Sequence, residues 1–160
     1  WGVRTPWKID LDPGSDTLWV GDVGARSFEE ISVATGVDGR PPGWGNDFGW
    51  SRFEGFEERN PDLAPAGGTT IDPVLVYAHD GVRCAVSGGV VYRGEAIPEL
   101  TSAFVFGDFC EGSVWAYDAT DGEAVQLGAG IAGISGVRRG PDGELYVLSW
   151  FGEIWRIEPA

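Results

Sequence analysis

Apolar positions in this chain come in runs of four to eight residues, rich in Val, Ile, Trp, Tyr and Phe, and helical periodicity is almost absent. Asp-Pro-Gly at 12–14 and Pro-Asp-Gly at 141–143 bound such runs, which therefore predict short strands joined by tight turns. The runs repeat. Residues 16–22, 103–108 and 144–149 are each followed, after a short polar or glycine loop, by a second strand at 28–33, 113–117 and 153–157. Another strand precedes each pair, at 6–11, 87–93 and 134–138, and an outer one follows two of them, at 73–78 and 123–127.

Four-stranded meanders in series predict an all-β fold of the β-propeller kind, present as about three blades. One blade covers residues 1–34 with its outer strand at 73–78; a second covers 87–127; a third covers 134–158 and lacks its outer strand. Three blades cannot close a ring, and their flanking faces would expose apolar surface. The chain also has no methionine, even at position 1. The expectation is an excerpt of a larger propeller whose N-terminal half lies upstream. Residues 35–70 interrupt the repeat with an insertion holding Trp44, Phe48, Trp50, Phe53 and Phe56. Such a segment is either an Ω-loop packed on the propeller face or the lip of a binding site, with Trp44 and Trp50 as stacking faces at a substrate mouth.

A net charge of −14 argues against nucleic acid and anionic membrane surfaces as partners, since both require a basic footprint. No apolar run reaches membrane-spanning length. Hydrolase, zinc and phosphate-loop signatures are missing. His79 is the only histidine and stands at the end of an outer strand, where a structural hydrogen bond is the simpler role than a base. Asp10, Asp12, Asp16 and Asp22 could suggest calcium, but Asp12 to Asp16 reads better as turn chemistry. Arg4 begins an inner strand, where a guanidinium can meet an anionic or carbonyl group or else make a structural ion pair. Cys84 and Cys110 are either buried thiols or a bridge closing about 27 residues, worth roughly 3–4 kcal/mol and pointing to an oxidising compartment.

The segments Gly2-Val3-Arg4-Thr5-Pro6-Trp7-Lys8-Ile9, Leu18-Trp19-Val20-Gly21-Asp22-Val23-Gly24, Phe28-Glu29-Glu30-Ile31 and Trp44-Gly45-Asn46-Asp47-Phe48-Gly49-Trp50 resemble the soluble glucose/sorbosone dehydrogenase family. Cys84 to Gly94 and Phe106 to Cys110 resemble its hedgehog-interacting-like branch. The resemblance implies a six-bladed propeller using pyrroloquinoline quinone and calcium, a disulfide between Cys84 and Cys110, and a periplasmic or secreted location. It places Arg4 and Thr5 at the cofactor, with Thr5 standing where the family has asparagine. The family's late arginine pair falls on Gly133 and Ser135; Arg138 and Arg139 are near, but adjacent strand residues face opposite ways.

The expected function is hydride transfer from a sugar C1 to the quinone, with a sugar and an electron acceptor as small-molecule partners. The catalytic histidine base would belong to the upstream half, so this chain holds no catalytic residue and is expected to be inactive alone. The alternative is a catalytically silent extracellular propeller that binds a protein or glycan; a calcium-dependent propeller lactonase ranks last.

Overall fold

The structure is a computed structural model that describes residues 1–64, 67 and 69–159. The described chain divides into two compact units, Trp1–His79 and Asp80–Ala160. Apart from one 3-10 turn at Pro98–Leu100, its regular elements are strands.

The first unit is built on a four-stranded sheet of β1 (Pro6–Asp12), β2 (Thr17–Asp22), β3 (Phe28–Thr35) and β8 (Leu75–Ala78), antiparallel throughout and in the order β1-β2-β3-β8. Between β3 and β8 lie four two-residue strands: β4 (Asn46–Asp47), β5 (Phe53–Glu54), β6 (Glu57–Glu58) and β7 (Thr69–Thr70). β4 pairs with β7 in parallel and β5 with β6 antiparallel. The hairpin tip at Asp38-Gly39, both with positive φ, is the turn chemistry that a tight antiparallel reversal demands. Both faces of the sheet carry buried apolar residues: Trp19 and Ile31 on one, Val20 and Ala34 on the other.

The second unit carries a sheet of β9 (Val86–Val91), β10 (Phe104–Asp108), β11 (Val114–Asp118) and β12 (Glu123–Gly128), again a simple antiparallel meander. A three-stranded sheet follows, of β13 (Ile134–Arg139), β14 (Leu145–Ser149) and β15 (Ile154–Arg156). The faces of these two sheets share one core: Val90, Tyr92, Val105, Val114 and Ala116 from the first meet Ile134, Val137, Leu145 and Val147 from the second. All six residues of β9 and all five of β10 are buried, so a near-continuous apolar run replaces alternation there. Gly89 is obligatory at this packing, because a Cβ there would stand 2.0 Å from the Val105 carbonyl oxygen.

Tyr92 and Glu144 fasten the two sheets. The Tyr92 hydroxyl donates to Glu144 Oε2 at 2.6 Å, while Glu144 Oε1 accepts from the N–H groups of Glu95 and Ala96. Cys84 and Cys110 are joined in a disulfide with their Cα atoms 5.6 Å apart. The fold is thus all-β, with two four-stranded antiparallel meanders of the propeller type and a three-stranded one.

Candidate functional site

One device recurs at the entry to each first strand. The carboxylate of Asp22, the last residue of β2, accepts from Arg4 N at 2.8 Å and Thr5 N at 2.6 Å, just ahead of β1. Asp108, the last residue of β10, accepts from Cys84 N at 3.3 Å and Ala85 N at 3.1 Å, just ahead of β9. Its other oxygen accepts from Cys110 N and Glu111 N, both at 2.9 Å. Ser149, ending β14, donates its hydroxyl to Ala132 O at 2.8 Å, ahead of β13. Each inner strand is therefore approached by a segment whose backbone is pinned by a side chain of the neighbouring strand. Arg4 and Thr5 sit on the first of these pinned segments.

The insertion holds that segment from its other side. Phe48 N donates to Trp1 O at 3.0 Å and Trp50 N to Gly2 O at 2.8 Å. Gly2 has φ of +74°, and a Cβ there would fall 2.0 Å from Asp47 Oδ1 and 2.8 Å from two backbone nitrogens. Only glycine allows this approach. It brings the Arg4 guanidinium over the Trp50 ring, 5.6 Å from the centroid, with Arg4 Nη1 donating to Val23 O at 3.0 Å and Thr5 Oγ1 at 3.3 Å. A second guanidinium, that of Arg59, stands 4.9 Å from the same centroid.

A bed of carboxylates underlies these cations. Glu54 Oε1 accepts from Ala25 N, Arg26 N and Ser27 N at 2.7–2.9 Å and from Phe28 N at 3.4 Å, so one carboxylate gathers residues 25–28 where the β2–β3 loop enters β3. Burial pushes the Glu54 carboxyl up, but those N–H donors together hold it below its ordinary range. Burial also raises Asp22, against the lowering effect of its Arg4 and Thr5 bonds. Glu30 lies opposite Asp22 in the β2–β3 register and accepts from Gly55 N. Its carboxyl is pushed up to about 7, first by burial and then by the charges of Asp22, Glu54 and Glu29.

The structure brings together Arg4, Thr5 and Trp50 and keeps Trp44 apart from them. Trp44 is 64 % exposed and lies beneath Arg40, in a hollow of its own with Val37, Asp38 and Asn46. Trp50 lines another hollow with Ser51, Arg52 and Leu63. His79 bonds to Glu29, which is fully buried, a structural pairing. The early aspartates do not converge: Asp12 accepts from Gly14 N and Ser15 Oγ within its own turn, and Asp22 serves Arg4 and Thr5. Among the described residues, three potential metal-ligand atoms come together only at Cys84, Asp108 and Cys110, where the sulfurs are bonded to each other. Arg138 and Arg139 bond to the carbonyls of Val137 and Val91. Sequence reasoning missed Arg59, Glu54 and Glu30; the Gly-Asp dipeptide shared by 21–22 and 107–108 was the available signal for the pinning carboxylates.

The profile of the Glucose / Sorbosone dehydrogenase family matches residues 1–155. The chain is 28% identical over 127 residues to the HIPL1 protein of Arabidopsis thaliana, covering 72% of this chain and 17% of that protein. It is 26% identical over 171 residues to the aldose sugar dehydrogenase YliI of Escherichia coli strain K12, covering 99% of this chain and 43% of that protein. The PQQ-bound form of aldose sugar dehydrogenase from Streptomyces coelicolor superposes with a TM-score of 0.60 at 17% identity, over 92% of this chain and 38% of that one. The chain thus spans less than half the length of these relatives. No helix among the described residues is long and apolar enough to cross a membrane.

Proposed function

We propose, since the chain belongs to the Glucose / Sorbosone dehydrogenase family, that it forms the arginine-bearing side of the site in a pyrroloquinoline-quinone aldose dehydrogenase. The observation that carries this reading is the Arg4 guanidinium held over Trp50 on a segment pinned by Asp22. Arg4 spends two bonds through Nη1 and keeps further N–H donors for an anionic or carbonyl oxygen. That donor set suits a carboxylated quinone, which when bound would accept the hydride leaving the sugar's C1. Thr5 places a hydroxyl beside the guanidinium, and Trp50 provides the wall against which it is oriented. Asp22 fixes the backbone of both residues, so the donors are set before any ligand arrives.

The C1 hydroxyl must lose a proton as hydride departs. His79 is committed to Glu29, so this reading assigns that proton to a base elsewhere in the full-length protein. Calcium enters the proposal from the family resemblance. Blades at 1–34 with 73–78, at 87–127 and at 134–158, with the insertion at 35–70 as the mouth, are part of the same reading. The Cys84–Cys110 bridge supports a periplasmic or secreted location. The test is dye reduction by the full-length protein supplied with the quinone, calcium and an aldose panel; turnover is expected, and none across the panel would overturn the proposal.

A second reading, a silent propeller that binds a protein or glycan, is favoured by one observation. Gly133 and Ser135 offer no guanidinium, and Arg138 and Arg139 are engaged with backbone carbonyls. Saturable quinone uptake by the full-length protein would count against it.

A further inference from the structure

The insertion carries Trp44 to a place apart from Arg4 and Trp50. Its stem leaves β3 at the Thr35 end of the first sheet, where Gly36 N donates to Asp16 O at 3.4 Å, whereas Arg4, Thr5 and Asp22 gather at the Phe28 end. Two successive turns fix the stem. Val37 and Arg40 form a bridge across Asp38-Gly39, and Arg40 N donates to Val37 O at 3.0 Å. Trp44 N then donates to Pro41 O at 3.1 Å and Asn46 N to Gly43 O at 3.3 Å. Pro41 and Pro42 lock φ between the turns. Gly43 lies so close to Leu18 that a Cβ would stand 2.8 Å from Leu18 Cδ2. An indole held this firmly is nonetheless 64 % exposed.

The hollow around it has a volume of about 320 Å³ and is lined by Val37, Asp38, Arg40, Trp44, Gly45 and Asn46, at the small end of ligand sites. The Arg40 guanidinium lies over the Trp44 ring, its carbon 5.6 Å from the centroid. Among the described residues, none of the Asp38, Arg40 and Asn46 side chains is spent on a hydrogen bond or an ion pair. Asp38 only accepts, Arg40 only donates and Asn46 does both. A hydroxyl group also does both, so a polyhydroxylated ring satisfies all three, whereas a simple anion meets Asp38 and a simple cation meets Arg40. The exposed indole offers an apolar surface to the C–H face of such a ring. Gly45 has nothing within 4 Å of the place a Cβ would take, which leaves a ligand room to approach the backbone.

We propose that this hollow is a saccharide subsite that takes a terminal pyranose of a neutral oligosaccharide, with the sugar's C–H face on Trp44 and its hydroxyls among Asp38, Arg40 and Asn46. The inference goes beyond the dehydrogenase reading: the subsite needs no quinone and takes no part in bond making.

The test uses full-length protein without quinone or calcium and three probes: methyl β-cellobioside, methyl β-lactoside and methyl α-maltoside. Their methylated anomeric oxygen keeps them from being oxidised at C1. Saturation-transfer NMR and calorimetry should show saturable binding of at least one, in the millimolar range or tighter, with saturation passing to ring C–H protons. Trp44→Ala should weaken that binding at least about tenfold, and Trp44→Phe, which keeps a smaller aromatic face, should weaken it less. Asp38→Asn keeps a residue that tolerates the left-handed turn and should weaken binding about three- to tenfold, by loss of a charged acceptor. Trp44→Ala should melt as wild type does, because the side chain it removes is exposed. Binding of none of the three glycosides, or equal binding by wild type, Trp44→Ala and Asp38→Asn, would overturn the inference. Glycoside binding by a protein that takes up no quinone sinks the dehydrogenase reading alone. Quinone uptake without glycoside binding sinks this inference alone.

Discussion

Replacing Glu30 by glutamine should stabilise the protein above neutral pH and leave it nearly unchanged in acid. Glu30 faces Asp22 across the β2–β3 register, and its carboxyl is raised from 4.5 to about 7 by burial, with Asp22, Glu54 and Glu29 adding to the rise. The sign follows from linkage. A folded-state pKa above the unfolded one favours folding at low pH, and the benefit is lost as pH climbs from about 4.5 through about 7. Once both states are ionised, the carboxylate costs the folded state about 3 kcal/mol at full value, and partial exposure reduces this to roughly 1–3 kcal/mol. Glutamine keeps an oxygen for the Gly55 N–H that Glu30 accepts, and it carries no charge. Urea unfolding of full-length wild type and Glu30→Gln at pH 5 and pH 8 reads the difference directly. The variant should gain roughly 1–3 kcal/mol at pH 8 and less than about 1 kcal/mol at pH 5. An equal effect at both pH values, or a loss at pH 8, would refute the reasoning.

Other perturbations follow from the same contacts. Asp22→Ala strands the N–H groups of Arg4 and Thr5, and should cost about 1–3 kcal/mol in denaturant unfolding; a neutral result would mean that water replaces the carboxylate. Gly2→Ala forces a Cβ against Asp47 and a residue with φ of +74°; it should lower stability and shift Trp50 fluorescence, and an unaltered melting curve would contradict the packing. Removing the bridge with Cys84→Ser and Cys110→Ser together should cost roughly 3 kcal/mol, measured against wild type with and without reductant, and reductant should have no effect on the double variant.

Much of the sheet framework was legible because each apolar run is bracketed by turn residues. The strand expected at 6–11 is Pro6–Asp12, and the one expected at 144–149 is Leu145–Ser149. The two small ladders of the insertion were not legible. Strands of two residues, such as Asn46–Asp47 and Phe53–Glu54, are too short to show alternation, and they form because backbone and side-chain partners elsewhere hold them. The carboxylates were hidden for a related reason: Glu54 looks like a surface charge in sequence, and only the fold reveals that it serves the N–H groups of residues 25–28. Trp44 and Trp50 come from one short motif yet line different hollows, with Gly45 and Gly49 both at positive φ between them. Six positions of separation in sequence carried no information about that divergence.

The central claim is that the Asp22-pinned Arg4, set over Trp50, meets the quinone. Its most direct test is an absorbance titration of full-length wild type and Arg4→Ala with pyrroloquinoline quinone in the presence of calcium. Wild type should show saturable uptake, weakened at least about tenfold by the substitution, as expected for loss of a charge-assisted contact. No uptake by wild type, or identical uptake by both, would contradict the claim.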